Sequence, residues 1–248
     1  MKIDYVISAS YGNDSMAMMQ LVYERGLQNV VVVYCDTGWA APGWGNRVAE
    51  GEKAAKAMGF GVVRLKSMGM ADLARIKKVF PASGMQFCTL HLKGVPFLEW
   101  IEEADPERKA VVMVGKRREE SRARKDTPEY VTDSEYNAGR MLWHPLYAHT
   151  EAERDALLDR AGIEKLLHRS KECSPCVNAN RADFLRLTPG EVERVNDLEV
   201  ELGRSMYPAK RFGALGIHGV MAWAKEGRNR GDFEDEEESC SGLFGCGT

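Results

Sequence analysis

Ser8-Ala9-Ser10-Tyr11-Gly12-Asn13-Asp14-Ser15 separates a strand pattern from a helix pattern, and the fold prediction starts there. Residues 5–7 are an apolar run rich in β-formers, and residues 16–21 carry apolar side chains at helical spacing. A glycine flanked by hydroxyls at a helix N-terminus suits phosphate or another anion, because the positive helix end and its backbone donors meet there. The alternative is an ordinary turn in which Asp14 or Ser15 caps the helix.

Three further apolar runs, each followed by a helical pattern, predict buried strands. They are residues 30–34, 62–65 and 111–114. Crossovers of this length require parallel pairing, so the fold class predicted is α/β, a doubly wound and mainly parallel sheet. A short edge strand is expected within residues 141–146.

Three segments are expected along the chain. Residues 1–150 form the nucleotide-binding α/β domain, residues 151–231 a helical extension with a C-x-x-C, and residues 232–248 an acidic, mobile tail with two cysteines.

The composition is that of an ordinary soluble protein. The chain has 34 basic and 37 acidic residues and a formal charge of -3, so no global basic field points to nucleic acid. The sequence shows neither an apolar run of membrane-spanning length nor the basic-then-apolar pattern of a signal peptide, and the cytoplasm is the expected compartment.

Polar side chains follow two of the predicted strands. Asp36-Thr37-Gly38 comes directly after the second strand, at the edge where open α/β sheets bind ligands. Residues 116–124 hold five cations at the end of the fourth strand, and they form either an anion clamp or a solvated helix face. Between these motifs, Trp39 and Trp44 either stack on a base or pack under their own loop.

Cysteines are the remaining chemical signal, because six of them occur in a chain without an export signal. Cys173 and Cys176 form a C-x-x-C beyond the predicted sheet, where a metal corner is favoured over a redox pair. Four thiolates would suit zinc or an iron–sulfur cluster, and the spacing does not separate the two.

The motifs together resemble a known family. Residues 10–15 are similar to the PP-loop, S-x-G-x-D-S, of the adenine nucleotide α-hydrolase-like superfamily. Asp36-Thr37-Gly38, Cys88-Thr89 with Lys93, and residues 117–122 then resemble, in order, signatures of the phosphoadenosine phosphosulfate (PAPS) reductase family. That family also contains ATP pyrophosphatases that act in sulfur transfer.

The resemblance implies a set of site residues. Nucleotide-binding residues would be Ser8, Ser10, Gly12, Asp14, Ser15, Asp36, Thr37, Gly38, Arg117, Arg118 and Arg122. Catalytic residues would be Lys93, Arg118 and Cys246. Ligands of a [4Fe–4S] cluster, or of zinc, would be Cys88, Cys173 and Cys176, completed by Cys240 or Cys246.

Three positions depart from the family pattern. Phe87-Cys88 stands where cluster-bearing reductases have two adjacent cysteines. Gly245-Cys246-Gly247-Thr248 keeps only the Cys-Gly centre of the reductases' C-terminal motif, and Asn13 replaces a lysine of many relatives.

Three functions follow as hypotheses. In the first, the protein reduces a sulfonucleotide, PAPS or APS, with the Cys246 thiolate and a thiol electron donor. In the second, it is an ATP pyrophosphatase that uses Mg²⁺ to adenylate a nucleic acid or small molecule for sulfur insertion. In the third, it is a non-catalytic nucleotide-binding zinc protein.

Overall fold

The computed structural model describes residues 2–132, 137–169, 171–213 and 215–226. Six strands form one sheet in the order β3-β2-β1-β4-β6-β5. Their bounds are β1 Tyr5–Ser8, β2 Val30–Asp36, β3 Gly61–Lys66, β4 Val111–Val114, β5 Tyr130–Val131 and β6 Leu142–Trp143. Every pairing is parallel except that of β5 with β6, so the predicted α/β class and mainly parallel sheet are confirmed.

Helices fill the crossovers of the sheet and make up the C-terminal region. Their bounds are α1 Asn13–Glu24, α2 Trp44–Ala57, α3 Met70–Lys77, α4 Phe87–Thr89, α5 Val95–Ala104, α6 Glu151–Ala161, α7 Arg181–Leu185, α8 Pro189–Leu202, α9 Ala209–Phe212 and α10 Gly216–Glu226. A π-helical turn, Leu90–Gly94, joins α4 to α5. Within the described residues, none of these helices has the length and apolar character needed to cross a membrane.

Burial on both faces explains why the sequence of β2 is continuously apolar. Val30, Val32 and Tyr34 pack in the core on one face of the sheet. Val31, Val33 and Cys35 pack in the core on the other face. A strand covered on both sides has no solvent face and therefore no polar alternation.

The C-terminal helices form a third apolar core and also extend the first. Phe184, Tyr207 and Phe212 contact one another edge to face within this third core. Helix α6 instead packs along α1, and its Leu157 and Leu158 belong to the same core as β1.

One strand prediction was wrong in position. Residues 142–143 do form a strand, but β6 lies between β4 and β5, so it is not the edge of the sheet. The edge strand on this side of the sheet is β5, which is only two residues long and whose sequence carries no periodic signal.

Candidate functional site

The β1–α1 turn lies at the point where the sheet reverses its winding. Strand β2 pairs on one side of β1 and β4 on the other, so the connections that follow β1 and β4 lead away in opposite directions. This arrangement opens a crevice at the carboxyl ends of the two strands, the position at which open α/β sheets bind ligands.

Within the described residues, no side chain caps helix α1. Its N-cap is Gly12, which makes no side-chain cap hydrogen bond, and Ser15 Oγ donates to the Gly12 carbonyl. Tyr11, buried in the same turn, has a left-handed backbone with φ of 59°. The alternative, in which Asp14 or Ser15 caps the helix, is therefore not observed, and the predicted anion site at this helix end stays a prediction.

Asp14 instead forms a buried ion pair with Arg117. The Arg117 Nε donates to Asp14 Oδ1 across the crevice at 2.5 Å, and both side chains are at least 94% buried. The two connections can approach this closely because residue 115 is glycine, where a Cβ would lie 3.3 Å from the Asp14 carbonyl. Arg154 of α6 brings a second guanidinium to 4.0 Å from the same oxygen.

The second carboxylate oxygen of Asp14 is unsatisfied among the described residues. Its Oδ2 is buried and has no hydrogen-bond partner within the part of the chain that the structure describes. Arg117 also pairs with Glu119, and Arg154 pairs with Glu151 and Asp155, so carboxylates balance the charge of the two guanidiniums. An anionic ligand would therefore depend on the backbone donors of the helix end and on the donors that these guanidiniums still have to offer.

The chain after α6 crosses the β1–α1 turn and is held there by side chains. Asn13 Nδ2 donates to the Leu166 carbonyl at 2.9 Å, and the Leu166 N–H donates to Asn13 Oδ1 at 3.0 Å. Arg47 of α2 donates to the carbonyls of Tyr11 and Glu164. Asn13 thus has a structural role at the position where many relatives of the resembled family carry lysine.

The Asp36-Thr37-Gly38 motif forms a tight turn at the end of β2. Asp36 Oδ1 accepts from the Gly38 N–H at 2.9 Å. Gly38 has φ of 62° and passes within van der Waals range of Gly69, so a side chain there would be strained and crowded.

Glu172 is the centre of a buried polar network that the sequence did not reveal. Its side chain is 1% exposed and accepts from Lys93 Nζ at 2.9 Å and from the Tyr34 hydroxyl at 2.8 Å. Thr37 Oγ1 lies 3.4 Å from Glu172 Oε1 and 3.9 Å from Cys173 Sγ. Burial, reinforced by the nearby Glu172, raises the pKa of Tyr34, so its hydroxyl stays protonated as a donor.

The C-x-x-C segment is fastened to the loop after β2. Ala40 pairs with Cys173 in an isolated β-bridge, and Trp39 Nε1 donates to the Pro175 carbonyl at 3.0 Å. Arg194 of α8 stacks 4.1 Å over the Trp39 ring. Trp39 and Trp44 are both buried, so the second of the two alternatives for these residues, packing under the loop, is the observed one.

The arginines after β4 separate in the fold. Within residues 116–124, Arg117 is the arginine that pairs with Asp14 at the α1 N-terminus, whereas Arg118 donates to the Thr127 carbonyl and stacks on Tyr147. Arg124 pairs with Glu120, and Arg122 is exposed. The nucleotide-binding roles implied for Arg118 and Arg122 stay predictions.

Two cavities lie at the junction between the sheet and the C-terminal helices. The α1 cavity, of about 770 Å³, reaches from Asn13, Arg117 and Arg154 to α7. The cysteine cavity, of about 340 Å³, is bordered by residues 41–44, Arg47, the C-x-x-C and the start of α8. Both cavities are lined by Leu166, His168, Arg169, Asp183 and Arg186.

The predicted metal ligands do not form a complete site in the described part of the chain. Cys88 and Cys173 are half-buried and Cys176 is buried, with no disulfide among them. Across the described ranges, no group of three or more His, Cys, Asp or Glu side chains is arranged to hold a metal ion. Cys240 and Cys246 lie outside the described residues, so the three thiols present do not fit a cluster by themselves.

Sequence reasoning missed Glu172, Arg154 and Arg186 as site residues. Arg154 and Arg186 lie in segments with helical patterns that contain many charged residues, and neither spacing nor composition distinguishes these two from their charged neighbours. The only signal for Glu172 was its place directly before the first cysteine of the C-x-x-C.

Comparison with known proteins gives one family match and one curated relative. Residues 4–169 match the family model described as the phosphoadenosine phosphosulfate reductase domain. The "Uncharacterized 37.8 kDa protein in gpa 5'region" of Escherichia phage 186 is 28% identical over 166 residues, which are 60% of this chain. The match spans 48% of the phage protein, about half its length.

Solved structures with a similar fold have low sequence identity. The phosphoadenylyl-sulfate reductase of Candida auris is 15% identical with a TM-score of 0.46, over 66% of this chain and 75% of that one. The U34-tRNA thiolase NcsA of Methanococcus maripaludis, solved with its [4Fe–4S] cluster, is 14% identical with a TM-score of 0.49, over 90% and 72%. The NH3-dependent NAD synthetase of Campylobacter jejuni is 11% identical with a TM-score of 0.44, over 81% and 85%.

Proposed function

Because residues 4–169 make this chain a member of the phosphoadenosine phosphosulfate reductase domain family, we propose that it binds an adenylyl sulfonucleotide and reduces its sulfo group. One observation carries the proposal. The α1 cavity begins at an uncapped helix end bordered by the buried guanidiniums of Arg117 and Arg154, and it continues into a cavity lined by Cys173 and Cys176. The proposed phosphate site would therefore neighbour the thiols of Cys173 and Cys176.

The nucleotide's phosphates would lie at the α1 N-terminus. Backbone donors of the first helical turn and the guanidiniums bind phosphate oxygens, while Asp14 orients Arg117 and contributes no direct phosphate contact. Ser10, Gly12 and Ser15 shape the turn, and Asp36 with Gly38 shapes the neighbouring one.

The reduction is a two-step thiol reaction. The Cys246 thiolate attacks the sulfur of the sulfo group, the sulfur–oxygen bond to the nucleotide phosphate breaks, and a thiol-bound sulfonate forms. A second thiolate then attacks the cysteine sulfur and displaces sulfite. In total two thiols become one disulfide and release two protons, and the two electrons reduce the sulfur that leaves as sulfite.

Sulfur transfer driven by ATP is the second candidate. The observation that favours it is the half-buried Cys173 beside Thr37, a thiol near the site that requires no tail segment. ATP with Mg²⁺ would adenylate an acceptor oxygen and release pyrophosphate, and a sulfur nucleophile would then displace AMP.

Titration of the anaerobic full chain with PAPS, APS and ATP, each with and without Mg²⁺, tests the two candidates. We expect PAPS or APS to bind with a Kd of about 1–100 μM and, with a thiol donor, to release sulfite. Pyrophosphate release from ATP without sulfonucleotide binding would select the second candidate. Binding of none of the three would contradict both.

Metal analysis tests the cysteine prediction separately. A [4Fe–4S] cluster needs a thiolate from the tail in addition to Cys88, Cys173 and Cys176. We therefore expect iron and acid-labile sulfide in the anaerobic full chain, and their loss in a Cys240→Ser/Cys246→Ser variant. Stoichiometric zinc in place of iron would select a structural zinc site, and metal retained in the double variant would rule out the tail as ligand.

A further inference from the structure

The cysteine cavity has an excess of positive charge. Among the described residues, its lining includes four cations, Arg47, Arg169, Lys171 and Arg186, and two carboxylates, Asp183 and Glu191. Asp183 is already paired with Arg169, and Arg47 with Glu50 of α2. Arg186 is exposed and forms no ion pair with any described residue, so its guanidinium can bind an anionic group.

Residues of this lining also hold buried polar atoms that lack partners. They are Arg47 Nη2, His168 Nδ1 and Glu191 Oε1, none of which has a hydrogen-bond partner within the described ranges. Arg47 and Glu191 are both more than nine-tenths buried. Buried polar groups are normally satisfied, so atoms of this kind around a cavity indicate bound water or a ligand that bonds to them.

The unsatisfied atoms define what such a ligand carries. The unsatisfied Arg47 nitrogen and the Arg186 guanidinium, which is unpaired among the described residues, both donate, which calls for an anionic acceptor such as a carboxylate. The Glu191 carboxylate oxygen accepts, which calls for a donor such as an ammonium group. Cys173 and Cys176 also line the cavity, so a ligand that carries a thiol would have its sulfur atom near theirs.

The volume restricts the ligand to a small molecule. About 340 Å³ lies at the lower end of the range for small-molecule sites. The lining of the cavity combines the buried Trp44, Arg47 and Cys176 with the exposed Pro42, Arg186 and Thr188, so the cavity opens to solvent on one side and a small molecule can enter it.

We propose that the cysteine cavity binds a small zwitterionic thiol, of which cysteine is the simplest example, with its carboxylate at Arg186 and its ammonium group at Glu191. Its role as the electron donor rests on the proposed function. The first molecule's thiolate would attack the Cys246 sulfur and displace sulfite, which leaves a mixed disulfide with Cys246. The thiolate of a second molecule would attack the donor sulfur of that mixed disulfide, restore the Cys246 thiolate and leave joined to the first as one disulfide. The walls shared by the two cavities place donor and nucleotide side by side.

Calorimetric titration of the reduced full chain with L-cysteine and with cysteamine tests the proposal, because the two differ only in the carboxylate. We expect cysteine to bind at least fivefold more tightly than cysteamine. Arg186→Gln should remove that preference by weakening cysteine alone. Glu191→Gln, which keeps the capping box with Thr188 because glutamine serves equally at this position, should weaken both ligands at least fivefold.

Lys56→Gln is the matched control, since Lys56 is an exposed cation of α2 outside both cavities. It should leave both affinities unchanged. Equal affinity of cysteine and cysteamine, no binding below 10 mM (about -2.7 kcal/mol), or equal effects of Arg186→Gln and Lys56→Gln would overturn the proposal. Cysteine binding without sulfonucleotide binding would contradict the proposed function and leave the cavity assignment standing.

Discussion

Glu172→Ala is expected to lower the free energy of unfolding by about 3–5 kcal/mol, the range for removing one partner of a buried ion pair. Lys93 is 10% exposed and would lose its carboxylate, and the Tyr34 hydroxyl would lose its acceptor. The C-x-x-C would also lose the residue that ties it to the end of β2. Urea unfolding of the full chain, followed by circular dichroism, measures the effect.

Two controls separate the buried pair from simple charge removal. Glu201→Ala breaks an ion pair with Arg75 whose partners are both about half exposed, and it should cost about 0–1 kcal/mol. The Lys93→Met/Glu172→Leu variant removes both charges and should recover most of the lost stability. A loss from Glu172→Ala no larger than that from Glu201→Ala would show that the network does not stabilise the fold.

Arg117→Gln should weaken sulfonucleotide binding by about 100-fold, because hydrogen bonds to charged groups contribute about 1.5–3 kcal/mol each. It should also destabilise the protein, because Asp14 is 1% exposed and would lose its main partner. The single variant therefore combines a binding defect with a folding defect. Calorimetry with PAPS or APS and urea unfolding report the two separately.

The Asp14→Asn/Arg117→Gln variant resolves that ambiguity. Neutralising both residues removes the uncompensated buried charge, so stability should return to near the wild-type value. Binding should remain about 100-fold weaker, since the guanidinium is still absent. If the double variant regains nucleotide affinity, Arg117 acts only by supporting the turn and the proposed phosphate contact is wrong.

The sequence was most informative where one physical requirement determines the residues. The run Val111–Val114 coincides with β4, and Val30–Tyr34 lies inside β2, because strands buried on both faces must be apolar throughout. The two-residue strand β5 was not predictable, since its pairing with β6 depends on contacts distant in sequence.

The candidate site residues also divide into those that a local sequence pattern indicates and those that only the fold brings together. Ser10, Gly12 and Gly38 lie in the two predicted turns, where the sequence indicates them because tight turns need particular residue types at fixed spacing, and their contacts with a nucleotide stay predictions. Arg117 was found within a run of cations, but only the fold separates it from Arg118 and Arg122. Glu172 and Arg154 reach the site through tertiary packing, for which the local sequence has no pattern.

The bond between Asn13 and the Leu166 backbone has a consequence for how the protein becomes competent during synthesis. The helix end emerges early, yet the two residues that bring guanidiniums to it, Arg117 and Arg154, follow more than 100 positions later. The turn lacks a cation of its own, because residue 13 is an amide engaged with the chain that crosses it. An incomplete nascent chain would therefore bind nucleotide weakly. Tight binding would begin only after the C-terminal helices have been synthesised and have packed against the sheet.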